Sequence, residues 1–271
     1  MESAVYRQFY ELEQEHWWFA GMRAICRTSM ARLPVTTNGS TVCLDLGCGT
    51  GLWTQELEAF GRVVGLDLST EALAFCRARG IPRLLQASAE QVPLADASCQ
   101  LITALGLIEH MDDDAKFVRE LARLSAPGGH VLLLTSAYRM LWSEHDTAVH
   151  HKRRYTKREL HTLLTREGLF DIVKCSYVNT TLLPAIVGLR GLRAVLRMKA
   201  NTSEEGTPDL FRVPAILNAL LYGVLRTEGW LLRAVDLPFG VGLLAVVRRT
   251  GRAMLSERAV DAVPETVRAV R

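Results

Sequence analysis

The segment Val42–Gly51, VCLDLGCGTG, limits the fold more than any other part of the chain. An apolar run carrying one acid, Asp45, leads into Gly47, Gly49 and Gly51, and a helical pattern opens at Leu52. Glycines at that spacing let the backbone turn tightly and approach a ligand, and the following helix start offers unpaired N–H groups. A ligand is therefore expected at the carboxyl end of this strand. A loop of this kind also suits a dinucleotide, and it also occurs as an ordinary strand-to-helix turn.

The surrounding rhythm fixes the class. TVCLDLG is followed by a helix to Phe60, RVVGLDL by a helix to about Arg79, and CQLITALGLI and HVLLLTS continue the series. Short apolar strands alternating with helices specify a doubly wound α/β domain with a parallel core. After Thr135 the pattern changes to a polar loop rich in His and Arg (136–155), then a helix capped by Thr156 and a strand at Asp171–Val178. Two long basic, apolar segments follow, Thr181–Lys199 and Leu210–Val235, before a last buried strand, VGLLAVVRR.

In the form GCGTG, with Asp45 two residues before the first glycine, the loop resembles the first motif of the class I S-adenosylmethionine (SAM)-dependent methyltransferases. Further matches follow in order. Asp67 closes the second strand, where an acid can accept from both ribose hydroxyls; its alternative is to cap the helix starting at Ser69. ASAEQVPLADASCQLI resembles the third motif, with Ser88 standing where Asp is common and Ala89 and Glu90 matching. LGLIEHM resembles the fourth, and LARLSAPGGHVLLLTS the PGG turn into strand five. The N-terminal EHWWFAGMR resembles a bacterial subgroup acting on small molecules or on sugar and lipid intermediates, of methyltransferase type 11 or 12.

The resemblance implies a Rossmann-like, seven-stranded sheet with an N-terminal helical lid (1–40), a SAM-binding core (41–178), a helical cap inserted before the last strand (179–237), the final strand (238–250) and a tail (251–271). It implies SAM as cofactor and S-adenosylhomocysteine (SAH) as product, held by Trp18, Arg23, Asp45, Gly47, Gly49, Gly51, Asp67, Leu68, Ser88, Ala89, Glu90, Leu105 and Gly106. Trp18 and its neighbours would form an apolar lid, or alternatively pack on the core, and Arg23 would meet the methionine carboxylate.

Methyl transfer to an activated sulfonium asks the protein mainly for orientation and sometimes for a base. The candidates within reach of the methyl are Glu109 and His110 in LGLIEHM and the cluster His145, Asp146, His150, His151, Arg153, Arg154 and Tyr155 after strand five. His110, His145, His150 and Tyr155 are taken from these as catalytic, with His110 the first to test because a neutral imidazole titrates near working pH. His110 can equally line the pocket without titrating. The run Lys152–Tyr155 offers cations for an acceptor anion, or a solvated basic turn.

The acceptor class expected is a small molecule methylated at O, N or C, in a specialised-metabolite or glycoconjugate setting. The alternatives are an RNA or protein methyltransferase and a SAM-fold binding protein without turnover. No NPPY-like tetrapeptide stands at the end of strand four, which speaks against base-amino methylation. A net charge of +3, from 32 basic and 29 acidic residues, does not favour a nucleic-acid partner. The six cysteines form no CxxC pair and so no zinc site, and with the acidic, aromatic N-terminus they fit a reducing cytoplasm. Glu109 with His145, Asp146 or His150 could form a magnesium site of the kind some related O-methyltransferases use, but these ligands lack a fixed short spacing, and no required metal is expected. Arg226, Glu228, Arg233 and Asp236 interrupt the most apolar stretches, so no membrane span is expected, though the basic cap leaves peripheral membrane contact open. The chain is read as a monomer or homodimer.

Overall fold

The computed structural model describes residues 3–34, 41–185, 187–188 and 213–251. Seven strands form one sheet: β1 (Val42–Leu46), β2 (Arg62–Asp67), β3 (Leu84–Gln86), β4 (Cys99–Leu105), β5 (Ser125–Ser136), β6 (Phe170–Val178) and β7 (Gly242–Arg249), in the order β3-β2-β1-β4-β5-β7-β6. All pairs are parallel except those made by β7, which runs antiparallel to both β5 and β6. The expected Rossmann-like sheet is thus present, with VGLLAVVRR as the strand inserted between β5 and β6.

The side-chain alternation of the strands divides the core into two layers. Leu44, Leu46, Ile102, Ala104, Val131, Leu133, Leu243 and Ala245 face α5 (Asp114–Leu124) and α7 (Lys157–Thr165), packing on Phe117, Leu121, Leu160 and Leu164. Cys43, Val63, Leu101, Leu132, Leu244 and Val246 face the other way, toward α2 (Trp17–Met30), α3 (Leu52–Leu57) and α8 (Ala215–Leu231), packing on Ile25, Met30, Leu57 and Leu225. Each fully buried Leu, Ile or Phe in these layers contributes about 1.5–3 kcal/mol.

Helix starts follow local chemistry. Ser69 accepts from the Ala72 N–H at the head of α4 (Thr70–Ala78), Asp113 caps α5, and Thr156 forms a capping box with Glu159 on α7 as its sequence predicts. The two helices read to Phe60 and Arg79 end slightly earlier, at Leu57 and Ala78.

The N-terminal pair, α1 (Ser3–Leu12) and α2, lies over the carboxyl ends of the strands because α2 docks on α8. Gly21 sits so close to Leu225 that a Cβ there would be 2.4 Å from its Cδ1, and Gly229 touches Ile25 in return. Within α8, buried Glu228 accepts from the Asn179, Thr180 and Thr181 N–H groups and the Thr181 hydroxyl, fastening the helix to the end of β6. Among the described residues no helix is long and apolar enough to cross a membrane. Most of the segment read as Thr181–Lys199, the linker after it and the tail from 252 lie outside the described residues.

Candidate active site

A cleft of about 770 Å³ opens where β1, β2, β4 and β5 end, between the glycine loop and α1–α2. Its floor at the β1 end is backbone. Gly47 and Gly49 adopt positive φ, 69° and 53°, and Gly47 and Cys48 donate to the Leu66 carbonyl at 2.8 and 2.9 Å, tying the loop to β2. A Cβ on Gly47 would lie 2.9 Å from Leu107, so a side chain there would both strain the turn and push into the β4 loop. Asp67 accepts from Gly49 N–H and Ser69 N–H, both at 2.9 Å, one through each oxygen. A carboxylate offers about four lone-pair positions, so each oxygen retains room to accept from a ligand hydroxyl.

Asp45 is fully enclosed between strands. It accepts from Thr54 Oγ1 at 2.6 Å and Thr103 Oγ1 at 2.8 Å. Burial pushes its pKa up to about 6, against the opposing pull of those two hydroxyls. Trp53 also lines the cleft, with a buried indole Nε1–H that has no partner among the described residues. A buried donor left unpaired is uncommon, and at this position it is available to an acceptor on a bound molecule.

The sequence-predicted residues Trp18, Arg23, Asp45, Gly47, Gly49, Asp67, Leu68, Ser88, Ala89, Glu90, Leu105 and Gly106 all line the cleft. Gly51 does not. It caps α3 at φ 87°, packed against Cys76 and Ile81, so its role is to make the turn. Arg23 lines the cleft with its guanidinium already engaged: Nε meets Glu56 at 2.8 Å, Nη1 bonds the Glu13 carbonyl and Nη2 the Gln14 carbonyl. Trp18 lies edge-on to Trp17, with ring centres 5.7 Å apart. Glu13 latches α1 to the loop, accepting from Thr50 Oγ1 and, at 2.6 Å, from Arg79.

At the other end, beyond β4 and β5, the cleft is walled by Glu109, His110, His145, His150, His151 and Arg154. His110, His145 and His150 are thus brought together as the sequence suggests. Burial, reinforced by the neighbouring His151, lowers the His110 pKa to about 4, leaving it neutral and weakly basic. Tyr155 is a correction: it is buried away from the cleft, and its hydroxyl donates to Asp114 at 3.0 Å. The isolated bridge of Tyr155 to Ala137 gives this stretch strand alternation, so Arg154 and Tyr155 point to opposite sides.

Glu109, Asp146, His151 and Arg154, which the sequence also places among the candidates near the acceptor, are joined here by contacts that the sequence does not reveal. Asp146 accepts from His151 Nδ1 at 2.8 Å and from Arg154 Nε and Nη2 at 2.7 and 2.9 Å, and it also caps α6 (Glu144–Ala148) through Ser143. Despite its burial, these donors hold its carboxyl well below the usual range. His151 Nε2 lies 3.9 Å from Glu109, which accepts from Thr135 Oγ1 at 2.8 Å and whose pKa burial raises. Lys152 and Arg153 are paired with Asp112 and Asp114, so the basic run is spent largely on the protein's own carboxylates. Among the described residues no cluster of His, Cys, Asp and Glu is arranged to hold a metal ion.

A Rossmann-like sheet of this order, with a glycine loop and an acid on β2 facing one cleft, defines the class I methyltransferase fold. Residues 44–133 match the family model of a methyltransferase domain. The chain is 31% identical over 175 residues to a "probable S-adenosylmethionine-dependent methyltransferase" of Mycobacterium tuberculosis, covering 62% of this chain and 61% of that protein. It thus spans about three-fifths of that relative's length. A malonyl-[acyl-carrier protein] O-methyltransferase of Erwinia billingiae is 32% identical over 136 residues, 49% of this chain and 54% of the relative. A chain of the Haloferax volcanii complex formed with the Trm112 methyltransferase activator superposes with a TM-score of 0.60 at 19% identity, over 93% of this chain and 97% of its own. Residues 44–133 thus match a methyltransferase domain, within a sheet that has the class I methyltransferase fold.

Proposed function

We propose that the protein transfers the methyl group of SAM to an oxygen of a small-molecule acceptor. The observation that carries this reading is the juxtaposition in one cleft of the glycine loop and Asp67 at one end with the Glu109 and histidine wall at the other. The residues present fit the cofactor. Asp67 offers acceptors for two ribose hydroxyls, the backbone and side chains at Ser88, Ala89 and Glu90 border the space for the adenine, and the unpartnered Trp53 N–H suits the cofactor's carboxylate. Arg23, its donors engaged, supports the lid and adds positive charge to that end.

When bound, SAM supplies an activated methyl on a sulfonium, so the chain's own task is chiefly orientation and exclusion of water. Tyr6, Phe9, Trp18, Phe19 and Met22 of α1 and α2 form the apolar roof. Leu105 and Gly106, at the end of β4, mark the passage between the two ends of the cleft. Oxygen as the accepting atom is supported by the wall of neutral or hydrogen-bonding groups at the far end and by relatives named O-methyltransferases. The roofed cleft suits a compact acceptor rather than a polymer.

The test is incubation of the full chain with methyl-labelled SAM and a panel of phenols, alcohols, carboxylic acids and amines. Label in an ether or ester product is expected. Labelling confined to amines would replace oxygen by nitrogen, and SAH binding without transfer to any acceptor would favour a binding role.

A further inference from the structure

We propose that His151, held by Asp146 and Arg154, is the group that takes the proton from the acceptor, and that the acceptor oxygen enters the cleft still carrying that proton. The inference rests on the methyltransferase reading above.

The geometry sets the tautomer. Asp146 receives Arg154 through two nitrogens, together with Ser143 N–H at 2.8 Å and Ser143 Oγ at 3.1 Å, so it is an ionised acceptor with no proton to donate. The His151 nitrogen beside it, Nδ1 at 2.8 Å, must therefore be the donor. In a neutral imidazole only one nitrogen bears hydrogen, which leaves Nε2 with a free lone pair. That nitrogen faces Glu109 at 3.9 Å, on the wall of the cleft. The distance is too long for a direct hydrogen bond, and both groups line the space that an acceptor hydroxyl would enter.

His110 lacks this support. Its Nδ1 lies 3.3 Å from the His150 carbonyl, a neutral partner, and its ring stands edge-on to His151 with centres 4.9 Å apart. A carboxylate behind the ring stabilises the imidazolium formed on protonation, whereas a carbonyl does so far less. The backbone holds the dyad in place: His151 N–H donates to the Asp146 carbonyl at 2.8 Å, and Lys152 N–H to the Glu109 carbonyl at 2.9 Å. Asp146 and Arg154 are positioning residues; His151 meets the acceptor.

The step balances. The acceptor O–H bond breaks and its proton goes to His151 Nε2, while the oxygen's electron pair forms the new O–CH3 bond. The old S–CH3 pair returns to sulfur, leaving a neutral thioether and a histidinium beside Glu109.

The test uses the full chain labelled with 15N at histidine and bound to SAH. Imidazole correlation spectra near neutral pH are assigned with the His151→Gln variant. His151 is expected as the Nδ1–H tautomer with a bare Nε2, and Asp146→Asn is expected to move it toward Nε2–H. A His151 ring carrying a proton on Nε2 in the unmutated protein overturns the proposal, because it has no lone pair to offer. This readout needs no acceptor.

In the transfer assay, His151→Gln should slow methylation of phenol by about 100-fold or more, the usual share of a general base. Methylation of 4-nitrophenol, already ionised at mildly alkaline pH, should fall by less than about tenfold. Equal losses on both phenols would assign His151 a purely structural role. SAH titration of the same samples separates the two readings. Failure of the unmutated protein to bind SAH removes the methyltransferase reading itself, whereas an Nε2–H ring in protein that binds SAH removes only the base.

Discussion

Replacing Asp45 by asparagine is expected to make the protein more stable at neutral pH. The carboxyl is 2% exposed and its hydrogen-bond donors are two threonine hydroxyls, with no cation among them. Burial raises its pKa from 3.8 to about 6 despite those hydroxyls, and Asp67 adds in the same direction. A raised acid pKa means that the folded chain keeps a proton the unfolded chain has released. The stabilisation is complete below the unfolded value and is lost as pH rises through the folded one. Two pH units correspond to about 3 kcal/mol, the cost of holding Asp45 ionised in the folded chain at neutral pH. Asparagine is neutral and nearly the same shape: its carbonyl accepts from one threonine and its amide donates to the other, whose hydroxyl turns to receive it. Urea unfolding should find Asp45→Asn more stable by about 2–3 kcal/mol near neutral pH, the advantage shrinking by about 1.4 kcal/mol for each unit below the raised pKa. A variant less stable than the parent at neutral pH, or a difference independent of pH, would refute this reasoning. An acid kept at such a cost implies work in the cleft, so the stabilised variant should bind SAM more weakly.

Trp53→Phe removes the unpartnered indole N–H together with part of a buried ring, and should weaken SAM binding by about 3- to 30-fold while costing about 1 kcal/mol or more of stability through the space left behind; unaltered affinity would place that donor outside the cofactor contact. Glu228→Ala strands three backbone N–H groups at the end of β6 and should lower stability by about 3 kcal/mol, read as a melting temperature some 6–12 °C lower. A shift of a degree or less would mean that water replaces the carboxylate there.

Much of the fold can be read from the chain. The strand-glycine-helix unit at Val42–Gly51, the acid closing β2 and the strand VGLLAVVRR all lie where their period and punctuation put them, because they are set by contacts near in sequence. The acceptor end is harder to read. Asp146, His151 and Arg154 lie within nine residues of one another but in a loop without period, and their meeting with Glu109 depends on β4 and β5 being neighbours. Tyr155 suits catalysis by residue type, yet one bridge to Ala137 turns it toward Asp114. Gly51 has the motif's spacing but faces Cys76 and Ile81. Arg23 lies at the cleft as expected, but its guanidinium meets Glu56 and two main-chain carbonyls, partners that a charge pattern does not reveal.

The measurement closest to the central claim is calorimetric titration of SAH into the full chain and into Asp67→Ala. Asp67 holds the loop through Gly49 and Ser69 and offers acceptors to the ribose, so its removal should weaken binding at least tenfold, about 1.4 kcal/mol or more. Micromolar binding by the unmutated protein, lost in the variant, is the predicted result. Binding that survives unchanged in Asp67→Ala, or no binding by the unmutated protein, would contradict the assignment of this cleft to SAM.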